Sequence, residues 1–146
     1  MMHGTGNDEA DHVYTCEPQC RLVAESARYS RKVVRDLHYD GDLTIAIQGA
    51  GFSYAQVVFR RPVGFRVMDE QDLTEYWNTY SEPNGWLWEV MGGGWLDLER
   101  RRPSFWRAQE GGMREFFLVD ESCLNVLCWD PPEIIDLGTD PTAATT

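Results

Sequence analysis

Lys32-Val33-Val34-Arg35-Asp36-Leu37-His38-Tyr39, then Asp40-Gly41, then Asp42-Leu43-Thr44-Ile45-Ala46-Ile47, is the run that decides the fold class. Asp-Gly favours the positive φ of a tight hairpin turn. After it, Leu43, Ile45 and Ile47 alternate with smaller or polar residues, the period-two pattern of a strand with one buried face. Gly49 and Gly51 end the run.

Working outward, Tyr54 to Met68 reads as a long extended segment, with Pro62 marking a bulge or an edge because it cannot donate to a ladder. Asp69 to Tyr80 reads as the principal helix: Asp69 suits the N-cap, Glu70 and Asp72 suit the first turn, and Leu73, Tyr76, Trp77 and Tyr80 share one face. Pro83-Asn84-Gly85 stops it. Gly85 to Arg100 reads as a second hairpin around Gly92-Gly93-Gly94, since Trp86, Trp88 and Val90 alternate, as do Leu96 and Leu98 with Asp97 and Glu99. Arg100 to Gly112 is a basic loop, and a third hairpin pairs Glu115–Val119 with Leu124–Trp129 before Pro131-Pro132. Short turns favour antiparallel pairing, so the expected fold class is α+β: a mainly antiparallel sheet of about six to seven strands with one helix over about 69–80.

The expected organisation is a flexible arm over 1–20, one α+β domain over 21–137 and a disordered tail over 138–146. A chain of 146 residues with 42% hydrophobic content can bury a core without staples. Met1 to Ala10 is polar and acidic, without the features of a secretion leader. No apolar stretch approaches the roughly 20 residues of a membrane span. The expected location is the cytoplasm, where the four cysteines stay reduced.

A net charge of −11 repels phosphate backbones and anionic membranes, so no nucleic acid and no membrane is expected as a partner. Cys16-x3-Cys20 and Cys123-x4-Cys128 hold the donors of a four-thiolate zinc site, but the spacings are not those of common zinc modules and structural thiols are the simpler reading. Cys123 and Cys128, if they flank a turn, would be close neighbours across it. His3, His12 and His38 form no metal-helix spacing, no nucleophile elbow is present, and the glycine triplet lacks the Walker lysine. Asp97 and Glu99, two apart on a strand, would share a face as a paired carboxylate, an arrangement that chance supplies in so acidic a chain. The expectation is therefore no catalytic residue, no metal and no cofactor.

Charge and aromatics point to binding. From Arg66 to Glu99 stand Asp69, Glu70, Asp72, Glu75, Glu82, Glu89, Asp97 and Glu99 against one base; from Arg100 to Arg114, five arginines face Glu110 alone. Trp, Tyr and Arg are the usual interface anchors. Trp86 and Trp88 fall on one face of the expected strand, and Trp106 lies beside arginines. The expected partner-binding set is Asp69, Glu70, Asp72, Glu75 and Glu89 with Trp86, Trp88 and Trp106, facing a basic protein.

Five stretches together carry a resemblance: Tyr39–Leu43; Val63–Leu73 with Tyr76-Trp77; Asn84–Val90; Gly93–Glu99; and Pro131–Ile134. They resemble small bacterial proteins, some of which stand beside secreted polymorphic or contact-dependent toxins as candidate immunity proteins. The resemblance spans about Tyr39 to Leu137. It implies a cytosolic inhibitor that blocks one cognate toxin, possibly a nuclease, by direct binding, and it carries over no catalytic residue. The alternative is a small-ligand or enzymatic domain with a pocket between sheet and helix lined by Trp77, Trp88 and Tyr54; a scaffold using an exposed sheet edge is the third reading.

Overall fold

Gly41 adopts φ 105° and turns the chain between β2 (Val33–Tyr39) and β3 (Leu43–Gln48) with Tyr39 opposite Leu43. The alternation persists in space: Leu43, Ile45 and Ile47 are fully buried, while Thr44, Ala46 and Gln48 are half-buried. β4 (Ser53–Phe59) sets Ala55, Val57 and Phe59 beside them, and β9 (Glu133–Thr139) completes a four-stranded antiparallel sheet in the order β2-β3-β4-β9. The computed structural model describes residues 18–29, 33–80 and 84–139.

The second sheet has five strands in the order β1-β6-β7-β8-β5, formed by β1 (Gln19–Leu22), β5 (Gly64–Asp69), β6 (Leu87–Gly92), β7 (Arg114–Leu118) and β8 (Ser122–Cys128), all antiparallel. Its inner face packs Leu87, Phe116, Leu118, Leu124, Val126 and Cys128 against the four-stranded sheet. Its outer face is covered in turn. Leu73, Tyr76 and Tyr80 lie over Trp88, Phe117 and Cys123, and Leu96, Ala108 and Met113 lie over Leu127. Burial on both faces explains why Leu87–Val90, Glu115–Val119 and Cys123–Cys128 are buried without interruption. The α+β class is as expected, with nine strands in two sheets among the described residues.

Three expectations are corrected. The 69–80 segment is a chain of 3-10 turns, Glu70–Asp72 and Thr74–Tyr76, followed by one α-turn, Trp77–Tyr80. Asp69 caps it as expected, accepting from Gln71 N at 2.9 Å, and Leu73, Tyr76 and Tyr80 keep the buried face. The second arm of the hairpin expected over Gly85–Arg100 is a helix, Trp95–Glu99; β6 pairs instead with β7 and β1. Its register is helical because Asp97 reaches Arg100 and Glu99 reaches Arg102 at i,i+3. Finally, Gln19 and Cys20, placed in the arm, belong to β1, and β9 runs two residues past Leu137 to Thr139. Residues 1–17 of the arm lie outside the described residues, as does residue 140 onward.

Candidate functional site: an acidic ridge at one end of the five-stranded sheet

The ridge begins where β5 stops. Tyr76 stacks on Phe117 with ring centroids 4.0 Å apart, and Tyr80 meets Trp88 edge-on at 5.0 Å. These two contacts pin the 70–80 segment to the sheet by its apolar side. Asp69, Glu70 and Asp72 are left exposed and Glu75 half-exposed. A second segment converges on them: Glu70 N–H donates to the Glu121 carbonyl at 3.2 Å, and Asp69 stands opposite Ser122, so the exposed Glu121 of the β7–β8 turn joins the same ridge. Glu121 escaped the sequence reading because only pairing brings that turn to residue 70.

Ion pairing divides the acidic block that runs from Asp69 to Glu99. Glu89 is held by Arg114 at 2.7 Å and Arg21 at 2.8 Å, Asp97 by Arg100 at 3.4 Å, and Glu99 by Arg102 at 2.9 Å. Asp69, Asp72, Glu75 and Glu121 take part in none of the ion pairs among the described residues. Glu82 lies outside the described residues. The basic block shrinks by the same pairs, leaving exposed Arg101 and Arg107 without an acidic partner among the described residues. The uncompensated field of the outer layer is thus negative and sits at the ridge.

Not every residue of the expected set reaches that surface. Trp86 is 5% exposed and donates its Nε1–H to the Ser26 carbonyl at 2.9 Å in the core between the sheets. Trp88 is 8% exposed and packs in the other core, beneath Tyr80. The two do not share a face, because Trp86 precedes the strand and Gly85, at φ 149°, reorients the chain before it. Glu89 is buried, and the Arg114 guanidinium, with Arg21 beyond it, holds its carboxyl below the usual carboxylate range. Burial therefore takes Trp86, Trp88 and Glu89 out of reach of a docked partner. Trp106 is 79% exposed, but it stands on the Arg100–Arg107 loop over the other half of the sheet, where Arg102 lies over Phe105. Asp69, Glu70, Asp72 and Glu75 are brought together; Trp106 is a separate feature.

Beneath the Trp95–Glu99 helix lies a buried polar cluster that no motif in the sequence announces, because its members are distant in the chain. The Glu115 carboxylate accepts from Leu96 N at 2.8 Å, Trp95 N at 3.1 Å and Asn125 Nδ2 at 2.8 Å. Arg66 Nε donates to Asn125 Oδ1 at 3.1 Å and its guanidinium lies over the Trp95 ring. Burial raises the Glu115 pKa, against these hydrogen bonds, which favour the ionised form. These bonds tie the N-terminus of the Trp95–Glu99 helix to β7 and β8.

The space between the 70–80 segment and the sheet amounts to 20 Å³, room for about one water. Trp88 packs in the same cluster without lining that space, and Tyr54 is on β4 of the other sheet. A cleft of 230 Å³ opens instead beside Gly92 and Gly94, where Asp97 is engaged by Gly93 N at 2.7 Å and by Arg100. Asp97 and Glu99, being helical, do not share a face as a strand would require. Cys123 and Cys128 lie on one strand, in different cores, and do not face each other across a turn; Cys128 has its thiol pushed up to about 12 by burial. Cys16 lies outside the described residues. No helix among the described residues is long and apolar enough to cross a membrane. Compared with protein-family models, curated proteins and solved structures, the chain matches none.

Proposed function

We propose that this protein is a non-enzymatic binding protein that neutralises a basic partner, as a cytoplasmic immunity protein neutralises its cognate toxin domain. One observation carries the reading. Within an acidic chain, Asp69, Asp72, Glu75 and Glu121, which have no arginine partner among the described residues, gather on one ridge beside exposed Glu70, whereas Glu25, Asp36 and Glu110, also exposed without one, lie on separate elements. Such a field speeds encounter with a cationic surface and rejects anionic ones. A toxin domain that acts on nucleic acid presents a cationic surface, and a carboxylate ridge can occupy the positions of its substrate's phosphates.

The test is neutralisation in cells. The reading frames adjoining the chain's own are searched for a large secreted protein with a basic C-terminal domain, and that domain is co-expressed with the chain; finding no such neighbour would count against the reading. Wild type restores growth, and the double charge reversal Asp72→Arg with Glu75→Arg loses that protection while folding normally. Equal protection by both chains would exclude the ridge as the binding surface.

A further inference from the structure

The two sheets end in four edge strands: β1 and β5 in one, β2 and β9 in the other. An edge strand presents unpaired backbone groups, and folded proteins blunt it with bulges or charge. Two of the four edges carry a bulge of their own, with Arg35 the extra residue in β2 and Leu137 in β9; β1 is only four residues long, and its register breaks opposite Met91 of β6. β5 keeps an unbroken register against β8 from Gly64–Leu127 to Asp69–Ser122.

The pairing fixes which backbone groups are open. Glu70 N–H bonds the Glu121 carbonyl, and antiparallel ladders alternate bonded and non-bonded pairs. Met68, Arg66 and Gly64 therefore bond inward to β8, while Phe65 and Val67 turn their N–H and C=O groups, and Asp69 its N–H, away from the sheet; the Asp69 C=O belongs to the first bond of the Glu70–Asp72 turn. No described residue accepts from or donates to those outward groups. Beside them stand two exposed apolar side chains, Val67 at 50% and Tyr39 at 54%; Tyr39 contacts Phe65 at 5.4 Å. The same strand runs directly into Asp69 and the acidic ridge.

We infer that β5 is a docking edge: an extended, lysine- or arginine-bearing segment of the partner adds to it as a sixth strand, its main chain bonded to Phe65, Val67 and Asp69 and its basic side chains facing the ridge. Strand addition draws affinity from main-chain bonds and selectivity from side chains at alternate positions. Here the apolar pair Val67 and Tyr39 supplies the dry contact and the carboxylates supply the choice of a cationic sequence. The inference rests on the proposed binding of a basic partner, and the test separates the two.

The probe is a synthetic eight-residue peptide of alternating lysine and valine, with a second version N-methylated at alternate amides. Residue-resolved amide exchange is followed in the full chain. The expected result is at least tenfold slower exchange at Phe65, Val67 and Asp69, little change at Arg66 and Met68, and at least tenfold weaker binding of the N-methylated peptide. Val67→Pro, which removes an outward N–H and no ladder bond, weakens binding tenfold; Val67→Lys does so by charge and keeps the backbone intact if the proline variant does not fold. Binding that perturbs only residues 69–75 and leaves exchange at Phe65 and Val67 unchanged overturns strand addition and retains the acidic ridge. Protection of Phe65 and Val67 that survives Asp72→Arg with Glu75→Arg retains strand addition and removes the ridge from it. No binding at millimolar peptide overturns the inference.

Discussion

The Leu96 backbone N–H donates to the Glu115 carboxylate at 2.8 Å, so a side chain from the middle of the five-stranded sheet closes the N-terminus of a helix lying on that sheet. With Trp95 N and Asn125 Nδ2 on the same carboxylate, Glu115 satisfies three donors in the interior.

Glu115→Ala leaves those donors without an acceptor and costs about 3–5 kcal/mol of folding free energy. Glu115→Gln keeps one acceptor oxygen but turns an NH2 toward a donor, and costs less, about 1–2 kcal/mol. Urea unfolding of the two variants checks the order; equal stability for wild type and Glu115→Ala would contradict it.

The pH dependence has two opposed parts. Arg114 and Arg21 lower the Glu89 pKa, so the unfolded chain binds the proton more readily; that contribution is present above the ordinary carboxylate pKa and is lost as pH falls through the lowered one. Burial raises the Glu115 pKa, so its contribution is full below the ordinary value and is lost as pH rises through the raised one. Glu89→Gln should therefore flatten the acid limb of the stability curve, and Glu115→Gln should flatten the decline above it. Urea midpoints across the carboxylate range read both slopes, and unchanged slopes would refute the assignments.

Gly94 has no room for a methyl group: a Cβ there would stand 2.6 Å from Val90 Cγ1 and 2.8 Å from Glu115 Oε1. Gly94→Ala should cost about 1–3 kcal/mol by overpacking and by pushing the carboxylate off the helix end. Thermal melts measure the loss, and a variant as stable as wild type would show that this contact is not tight.

The tryptophans separate by depth. Trp86→Ala should cost about 3–5 kcal/mol, since it empties a core site and removes one of the two hydrogen bonds to the Ser26 carbonyl, whereas Trp106→Ala should stay within about 0.5 kcal/mol. Paired unfolding curves decide the matter.

The parts of the fold legible in the sequence are those with one wet and one dry face. Leu43, Ile45 and Ile47 declare their strand because Thr44, Ala46 and Gln48 face outward. Trp95–Glu99 looks like a strand in the sequence because Leu96 and Leu98 alternate with acids, and the i,i+3 pairs with Arg100 and Arg102 that accompany its helical turn look like a block of charge. Gln19–Leu22 carries no pattern at all, being a largely exposed edge strand held by main-chain pairing with β6. Asp69, Glu70, Asp72 and Glu75 are legible one by one because Asp69 is a helix cap and its neighbours follow in sequence; Glu121 joins them only through strand pairing. The burial of Trp86, Trp88 and Glu89 was not, because it depends on a third layer and on arginines distant in the chain.

The most direct test of the central claim is the association rate of the chain with the basic domain that it neutralises in cells, measured by stopped flow from low to high salt. The ridge predicts a rate that falls at least tenfold over that range, and a similar fall at low salt for Asp72→Arg with Glu75→Arg. A rate indifferent to both salt and charge reversal would contradict the account.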